Sequence, residues 1–241
     1  MNYDSIYKDH ANTTIDWCPM DTQELYELNL KTRRDDLDKF GWIDNKVSYT
    51  FNEHGFRCPS FENKPSIMFL GCSHTLGIGI NIEDTWGHLV SKELNLRCIN
   101  LGQGGGTNDT AFRLGYHWIP KLKPKIVFLL QPDSSRIEII SRSRNIQFLS
   151  TGQKIPVQWQ RWYNDWLLVD SNSVLNFQKN TLALSEICKQ NRAKFRYVSS
   201  DDIPQWDKAR DLAHDGVISN SKFVTPVLSL IEDSNAHMPK K

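Results

Sequence analysis

An excess of charge of either sign is what this 241-residue chain lacks most plainly, since Lys+Arg 29 stand against Asp+Glu 28 for a formal net charge of +1 at pH 7. Without a global field, the composition gives no reason to expect attraction to nucleic acid or an anionic membrane surface. Long apolar runs are missing too, and none approaches the roughly 20 residues of a membrane-spanning helix. The start, Met1-Asn2-Tyr3-Asp4, has neither the basic nor the apolar stretch of a secretory leader. The expectation is a cytoplasmic protein with no nucleic acid and no membrane among its partners. Five cysteines (Cys18, Cys58, Cys72, Cys98, Cys188) include no C-x-x-C. That argues against a disulfide framework and a zinc ribbon and points to buried free thiols. Seven histidines show no H-E-x-x-H or comparable pairing, so no metal is expected. The chain has no internal repeat and no low-complexity tract.

What is present is the balance of a globular protein, 39% hydrophobic and 24% charged, sized for one large domain or two small ones. Residues 1–60 hold little long apolar patterning. Val47 to Phe51 alternates and runs into Asn52-Glu53-His54-Gly55, which predicts a strand entering a turn. Asp21 to Asp38 predicts a helix. This N-terminal hairpin and helix arm is read as an accessory layer on a core formed by residues 61–241.

From Ser66 the pattern changes to short continuous apolar runs separated by helical stretches, the signature of strands buried on both faces of a parallel sheet. The expected strands are Ile67–Leu70, Cys98–Leu101, Ile126–Leu130 and Phe195–Val198. Expected helices begin after an Asp84 N-cap and continue through Leu94, then span Thr107–Ile119 (ended by Pro120), Val174–Asn191 and Ser221–Ile231. Residues 141–170 break the rhythm with Trp159, Trp162, Tyr163 and Trp166 and are read as an inserted hairpin or cover, its tryptophans available to wall a ligand cleft. The fold class is α/β, a three-layer α/β/α sandwich.

Two stretches carry chemistry. The first strand runs into Gly71-Cys72-Ser73-His74-Thr75, which puts Ser73 at the carboxyl end of a strand, where open α/β sheets bind ligands. Taken alone, a serine there is ordinary turn chemistry. About 140 positions later, Asp211-Leu212-Ala213-His214 spaces an Asp and a His so that the carboxylate can hold imidazole Nδ1 while Nε2 turns to a hydroxyl. Alone, that is a surface turn with a capping Asp. The glycine run Gly102–Gly106 also follows a strand, but it lacks the G-K-[ST] ending of a P-loop and the G-x-G-x-x-G of a dinucleotide site.

Together these blocks resemble the SGNH, or GDSL-type, family of flavodoxin-like serine esterases. The family's G-D-S-x-[ST] reads Gly71-Cys72-Ser73-His74-Thr75 here, and its Asp-x-x-His matches Asp211 and His214, followed by Gly216 and Asn220. The resemblance covers roughly residues 66–232 and implies Ser73, His214 and Asp211 as catalytic residues. It maps Asn100 onto the Asn that ends the family's second strand and Gly105 onto the oxyanion glycine. Two departures stand out. Cys72 replaces the Asp before the nucleophile, and the block after the third strand, Leu130 to Arg136, has no Asn to serve as a side-chain oxyanion donor. Backbone N–H groups of Ser73 and Gly105 are the expected hole. Asn108, Gln131 and Ser134 are candidates for a third donor, with Asn108 first because it adjoins the glycine turn. His74, Gln131 and Arg136 are candidate substrate contacts, Arg136 either holding an anionic group or pairing with Asp133.

The resemblance implies a serine hydrolase cleaving an O-acyl or O-acetyl ester of a small molecule or glycan, with neither cofactor nor metal. Its activity should rise as His214 loses its proton. The rival is a non-catalytic module of the same fold, binding carbohydrate or serving assembly. Cys72 is the rival nucleophile.

Overall fold

The computed structural model describes residues 3–140, 146–150 and 157–233. In the N-terminal region β1 (Thr14–Ile15) pairs antiparallel with β2 (Tyr49–Thr50), joining Thr14 to Thr50 and Ile15 to Tyr49. Two helices, α1 (Gln23–Thr32) and α2 (Arg34–Lys39), lie between them in the chain. Here the structure corrects two expectations. The turn after Phe51 forms, with Gly55 N–H donating to Asn52 O at 2.9 Å, but it closes no hairpin, because the partner of β2 is the distant β1. The single helix expected over Asp21–Asp38 is broken at Arg33, whose φ of −142° is not helical, and the break turns Leu37 into the core.

The main body follows as β3 (Ser66–Leu70), α3 (Ser73–Leu76), α4 (Trp86–Glu93), β4 (Arg97–Asn100), α5 (Asn108–Leu122) and β5 (Ile126–Gln131). Next come β6 (Ile137–Ile140), β7 (Ile146–Leu149), the short α6 (Gln160–Trp162), α7 (Asp170–Gln190), β8 (Lys194–Ser199) and α8 (Val217–Glu232). Strands β4-β3-β5-β8 form one parallel sheet in that order.

Alternation along each strand divides its side chains between two cores. Met68, Leu70, Ile99, Val127 and Leu129 meet Leu114, Trp118, Leu184 and Cys188 from α5 and α7. Ile67, Phe69, Cys98, Phe128 and Leu130 meet Trp86, Val90, Phe223 and Val227 from α4 and α8. The strands are apolar at nearly every position because both faces are covered. The result is the expected three-layer α/β/α sandwich. The chain leaves β3 for β4 on one side and returns to β5 on the other, so the strand order reverses at β3, and ligands bind at the carboxyl ends of strands at such a switch.

Helix boundaries differ from expectation for local reasons. Asp84 is not the cap of α4; it sits in a 3-10 turn, and Thr85 Oγ1 accepts the His88 N–H at 3.4 Å instead. Pro120 lies inside α5 near its end, where its missing N–H forfeits one bond, and Lys123 closes the helix by donating to Ile119 O. The helices expected from Val174 and Ser221 start earlier, at Asp170 and Val217.

The expected insertion contains the β6–β7 hairpin, which begins before residue 141 and is pinned to α5 by a buried Arg113–Glu138 ion pair at 2.6 Å. Residues 141–145 and 151–156 of that stretch lie outside the described residues. The tryptophans do not line the pocket beside Ser73. Trp159 and Trp166 pack with Ile137 and Tyr163, and Trp162 stacks on Trp166. All five cysteines are buried and free. Among the described residues, no helix is long and apolar enough to cross a membrane.

Candidate active site

Strand β3 ends at Leu70, and Gly71-Cys72 turn the chain so that Ser73 opens α3. Asn100, at the end of β4, fastens this turn: its Nδ2 donates to Thr75 O at 2.7 Å and its Oδ1 accepts from Gly102 N at 2.9 Å. Gly102 must be glycine because a Cβ there would lie 2.5 Å from Leu76 N and 2.8 Å from Thr75 C. With four residues α3 is too short to provide a helix macrodipole, so any help to developing charge comes from individual amides.

The Asp211–His214 segment is a tight turn after β8. Asp211 Oδ1 accepts the N–H groups of Ala213 (3.1 Å) and His214 (3.0 Å), and its Oδ2 lies 2.5 Å from His214 Nδ1. His214 Nε2 lies 2.8 Å from Ser73 Oγ. Asp211 therefore orients the imidazole while the serine hydroxyl faces its other nitrogen, across 141 positions of sequence. Burial by itself raises the Asp211 carboxyl. Hydrogen bonds from His214 and Ala213, with the charge of His214, outweigh it and hold the carboxyl below its ordinary range.

The N-terminal region holds this turn from behind. Trp42 Nε1 donates to Lys208 O at 2.7 Å, and Asn29 Nδ2 to Asp211 O at 3.4 Å. Arg210 lies with its guanidinium over the Trp17 ring, 4.0 Å from its centroid, and binds Asp21 through Nε and Nη2. Tyr49 OH donates to the same Asp21 carboxylate and accepts from Gly79 N. Gly79 (φ +75°) lets the chain pass Arg210, whose N would stand 3.0 Å from a Cβ. Arg57, fully buried, ties the exit of α3 to the same region by donating to Leu76 O, Gly77 O, Ile80 O and Ser48 O. Composition and spacing gave no sign of these contacts.

The other expected site residues are placed as follows. Ser73 N and Gly105 N donate to no acceptor among the described residues, and Gly105 (φ +72°) lies under Phe148 of β7. Asn108 Nδ2 turns to Pro132 O at 3.2 Å, which leaves one N–H for any other acceptor. Gln131 Nε2 donates to Thr181 Oγ1 of α7 at 3.0 Å. Arg136 makes no side-chain ion pair with Asp133; its backbone N donates to Asp133 O instead. Ser73, His74, Ile78, Ile80, Ile203, His214, Asp215 and Asn220 line a small pocket. Cys72 is buried and is not part of that lining. Among the described residues no three His, Cys, Asp or Glu side chains gather as metal ligands.

Solved structures similar to this chain include several esterases. The psychrotrophic esterase EstA from Pseudoalteromonas sp. is matched over 71% of this chain and 97% of its own, at 16% identity and a TM-score of 0.35. TesA is matched over 70% and 98%, at 12% identity and 0.36. A carbohydrate esterase whose active site displays divergent catalytic and non-catalytic binding functions is matched over 73% and 71%, at 11% identity and 0.39. Neither a protein-family model nor a curated protein matches the sequence. Similarity at this level leaves the chemistry to the site itself.

Proposed function

We propose that the protein is a serine hydrolase that cleaves an O-acyl or O-acetyl ester of a small molecule or glycan through an acyl-enzyme. The observation that carries this reading is the continuous run of contacts from Ser73 Oγ through the His214 ring to Asp211, at 2.8 and 2.5 Å. A packing serine and a capping Asp do not need that alignment; a nucleophile, a base and the group that orients it do.

In this reading His214 Nε2 takes the Ser73 proton as Oγ bonds to the acyl carbon, and the carbonyl electrons move to oxygen. Ser73 N–H and Gly105 N–H receive that oxyanion. His214 then returns the proton to the departing alkoxide as the ester bond breaks. Water, deprotonated by the same nitrogen, attacks the acyl-serine and regenerates the hydroxyl. Asp211, kept ionised, holds Nδ1–H and stabilises the imidazolium at each step. One missing oxyanion donor typically costs about 10²- to 10³-fold in turnover. The lack of a third-block Asn therefore slows such an enzyme without abolishing it.

That same lack favours the second reading, a binding module that retains the fold without turnover. One experiment decides between them. A fluorophosphonate probe labels the wild-type protein on Ser73 and fails to label Ser73→Ala if the site is catalytic. No labelling of folded wild type, with no hydrolysis across a panel of p-nitrophenyl esters and acetylated glycans, leaves the binding module.

A further inference from the structure

The mechanism above uses one imidazole, but the pocket holds two, each with its own carboxylate. His74 follows Ser73 in α3, and its Nδ1 lies 2.9 Å from Oδ2 of Asp215, the residue after His214. The His74 side chain is 29% exposed and that of Asp215 6%. The carboxylate is thus the buried member and the imidazole the one presented to the pocket. The two histidine rings stand edge to face with centroids 5.1 Å apart. His74 Nδ1 is itself buried, and its contact with Asp215 is close but out of line with the N–H direction. It is an electrostatic pairing more than an aligned hydrogen bond. With Nδ1 buried against the protein beside the Asp215 carboxylate, Nε2 is the nitrogen left to meet a ligand.

The chemistry of the lining narrows what that ligand offers. Asn220 has no N–H left for a substrate: its Nδ2 donates to Asp215 O and Gly216 O, while its Oδ1 already accepts from Trp86 N. Ile78, Ile80 and Ile203 offer only apolar contact. No Lys or Arg lines the pocket, while Asp215 does, with Asp211 just behind His214. An anionic group would therefore meet two carboxylates compensated by no more than two imidazoles. A purely alkyl group would leave His74 unpaired against it, at a cost. A hydroxyl is neutral and both donates and accepts, so it satisfies Nε2 in either tautomer.

We propose that His74, backed by Asp215, recognises a hydroxyl group next to the scissile ester, which makes the substrate an O-acyl polyol or sugar in preference to a simple alkyl or aryl ester. This rests on the hydrolase reading for the identity of the scissile bond, though the binding itself does not need turnover. The test compares kcat/KM for a mono-O-acetylated methyl glycoside with that for p-nitrophenyl acetate in wild type, His74→Phe and Asp215→Asn. The ratio of glycoside to aryl ester should fall at least about tenfold in both variants, as loss of a specific hydrogen bond predicts. A ratio unchanged in both variants would overturn the proposal, as would a wild type that prefers an anionic ester such as monomethyl succinate.

A second arm works without catalysis. Ligand-observed NMR should detect the same acetylated glycoside binding to Ser73→Ala and lose it in Ser73→Ala/His74→Phe. Equal binding to the two proteins, or none to Ser73→Ala, would overturn the role of His74. Binding to Ser73→Ala that is lost in Ser73→Ala/His74→Phe, alongside an unlabelled, inactive wild type, would retain His74 and reject only the hydrolase reading.

Discussion

Arg210 and Asp21, 189 positions apart in the chain, form a buried ion pair with Nη2 2.7 Å from Oδ2, their side chains 5% and 1% exposed. Because Arg210 precedes Asp211, the N-terminal region reaches the turn that orients His214. An apolar cluster joins the same parts, with Tyr7, Leu37, Trp42 and Tyr49 packed against Leu76, Ile78, Ala209 and Leu212. The nucleophile turn and the Asp-His turn are thereby both seated on residues 1–60.

Removing one partner of that pair leaves a buried charge without compensation, which typically costs about 3–5 kcal/mol. Asp21→Ala should lower the urea midpoint accordingly, with Arg210→Met/Asp21→Leu recovering much of the loss because both charges go together. A double variant as unstable as Asp21→Ala would show that packing, and not the unpaired guanidinium, sets the penalty.

Asp211→Asn keeps the size of the side chain but removes the charge that fixes the His214 tautomer. If the proposed hydrolase reading holds, kcat should drop by about 10⁴-fold, as it does where an Asp-His-Ser arrangement is known to catalyse. Circular dichroism should remain native. A drop under about tenfold would remove Asp211 from the chemistry.

Gly102→Ala places a Cβ 2.5 Å from Leu76 N, against backbone that has no rotamer with which to yield. The turn holding Ser73 must shift, and overpacking of this kind typically costs about 1–3 kcal/mol. Thermal melting should show that loss, and fluorophosphonate labelling should slow in the protein that remains folded.

Acid should weaken the fold through Asp211. Its carboxyl is held below the ordinary range in the folded protein, so the unfolded chain, titrating near about 3.9, binds a proton at higher pH than the native state does. The stabilisation is complete above that value and is lost as pH falls through the lower native one. The gap between the urea midpoints of wild type and Asp211→Asn should hold steady near neutrality and close below about pH 4. A gap that widens on acidification would reverse the assigned direction.

The thiols should be silent in the native state. Burial pushes Cys98 up to about 11, and it pushes Cys18 to a similar value. Disulfide-exchange reagents at pH 8 should modify all five cysteines only as fast as the protein unfolds. Rapid stoichiometric labelling of Cys72 would reopen its claim as nucleophile.

Much of this architecture was legible in the chain. Runs such as Ile67 to Leu70 and Ile126 to Leu130 report burial on both faces, which is a local property of a strand between two helical layers. The blocks around Ser73 and Asp211 were legible for a similar reason, since each is a short turn whose residues bond to their own neighbours. Boundaries were less so: Asp84 and Thr85 are both competent caps, and only the path of the chain chose Thr85.

Sequence by itself thus determined the strands, the layers they require and the residue types able to carry acyl transfer. The fold alone decided which of those residues meet. The approach of Ser73 to His214, of His74 to Asp215 and of Asp21 to Arg210 depends on strand order and on where residues 1–60 are laid down. Such contacts leave no periodic trace in the chain, because a hydrogen bond or an ion pair constrains two positions and says nothing about the residues between them.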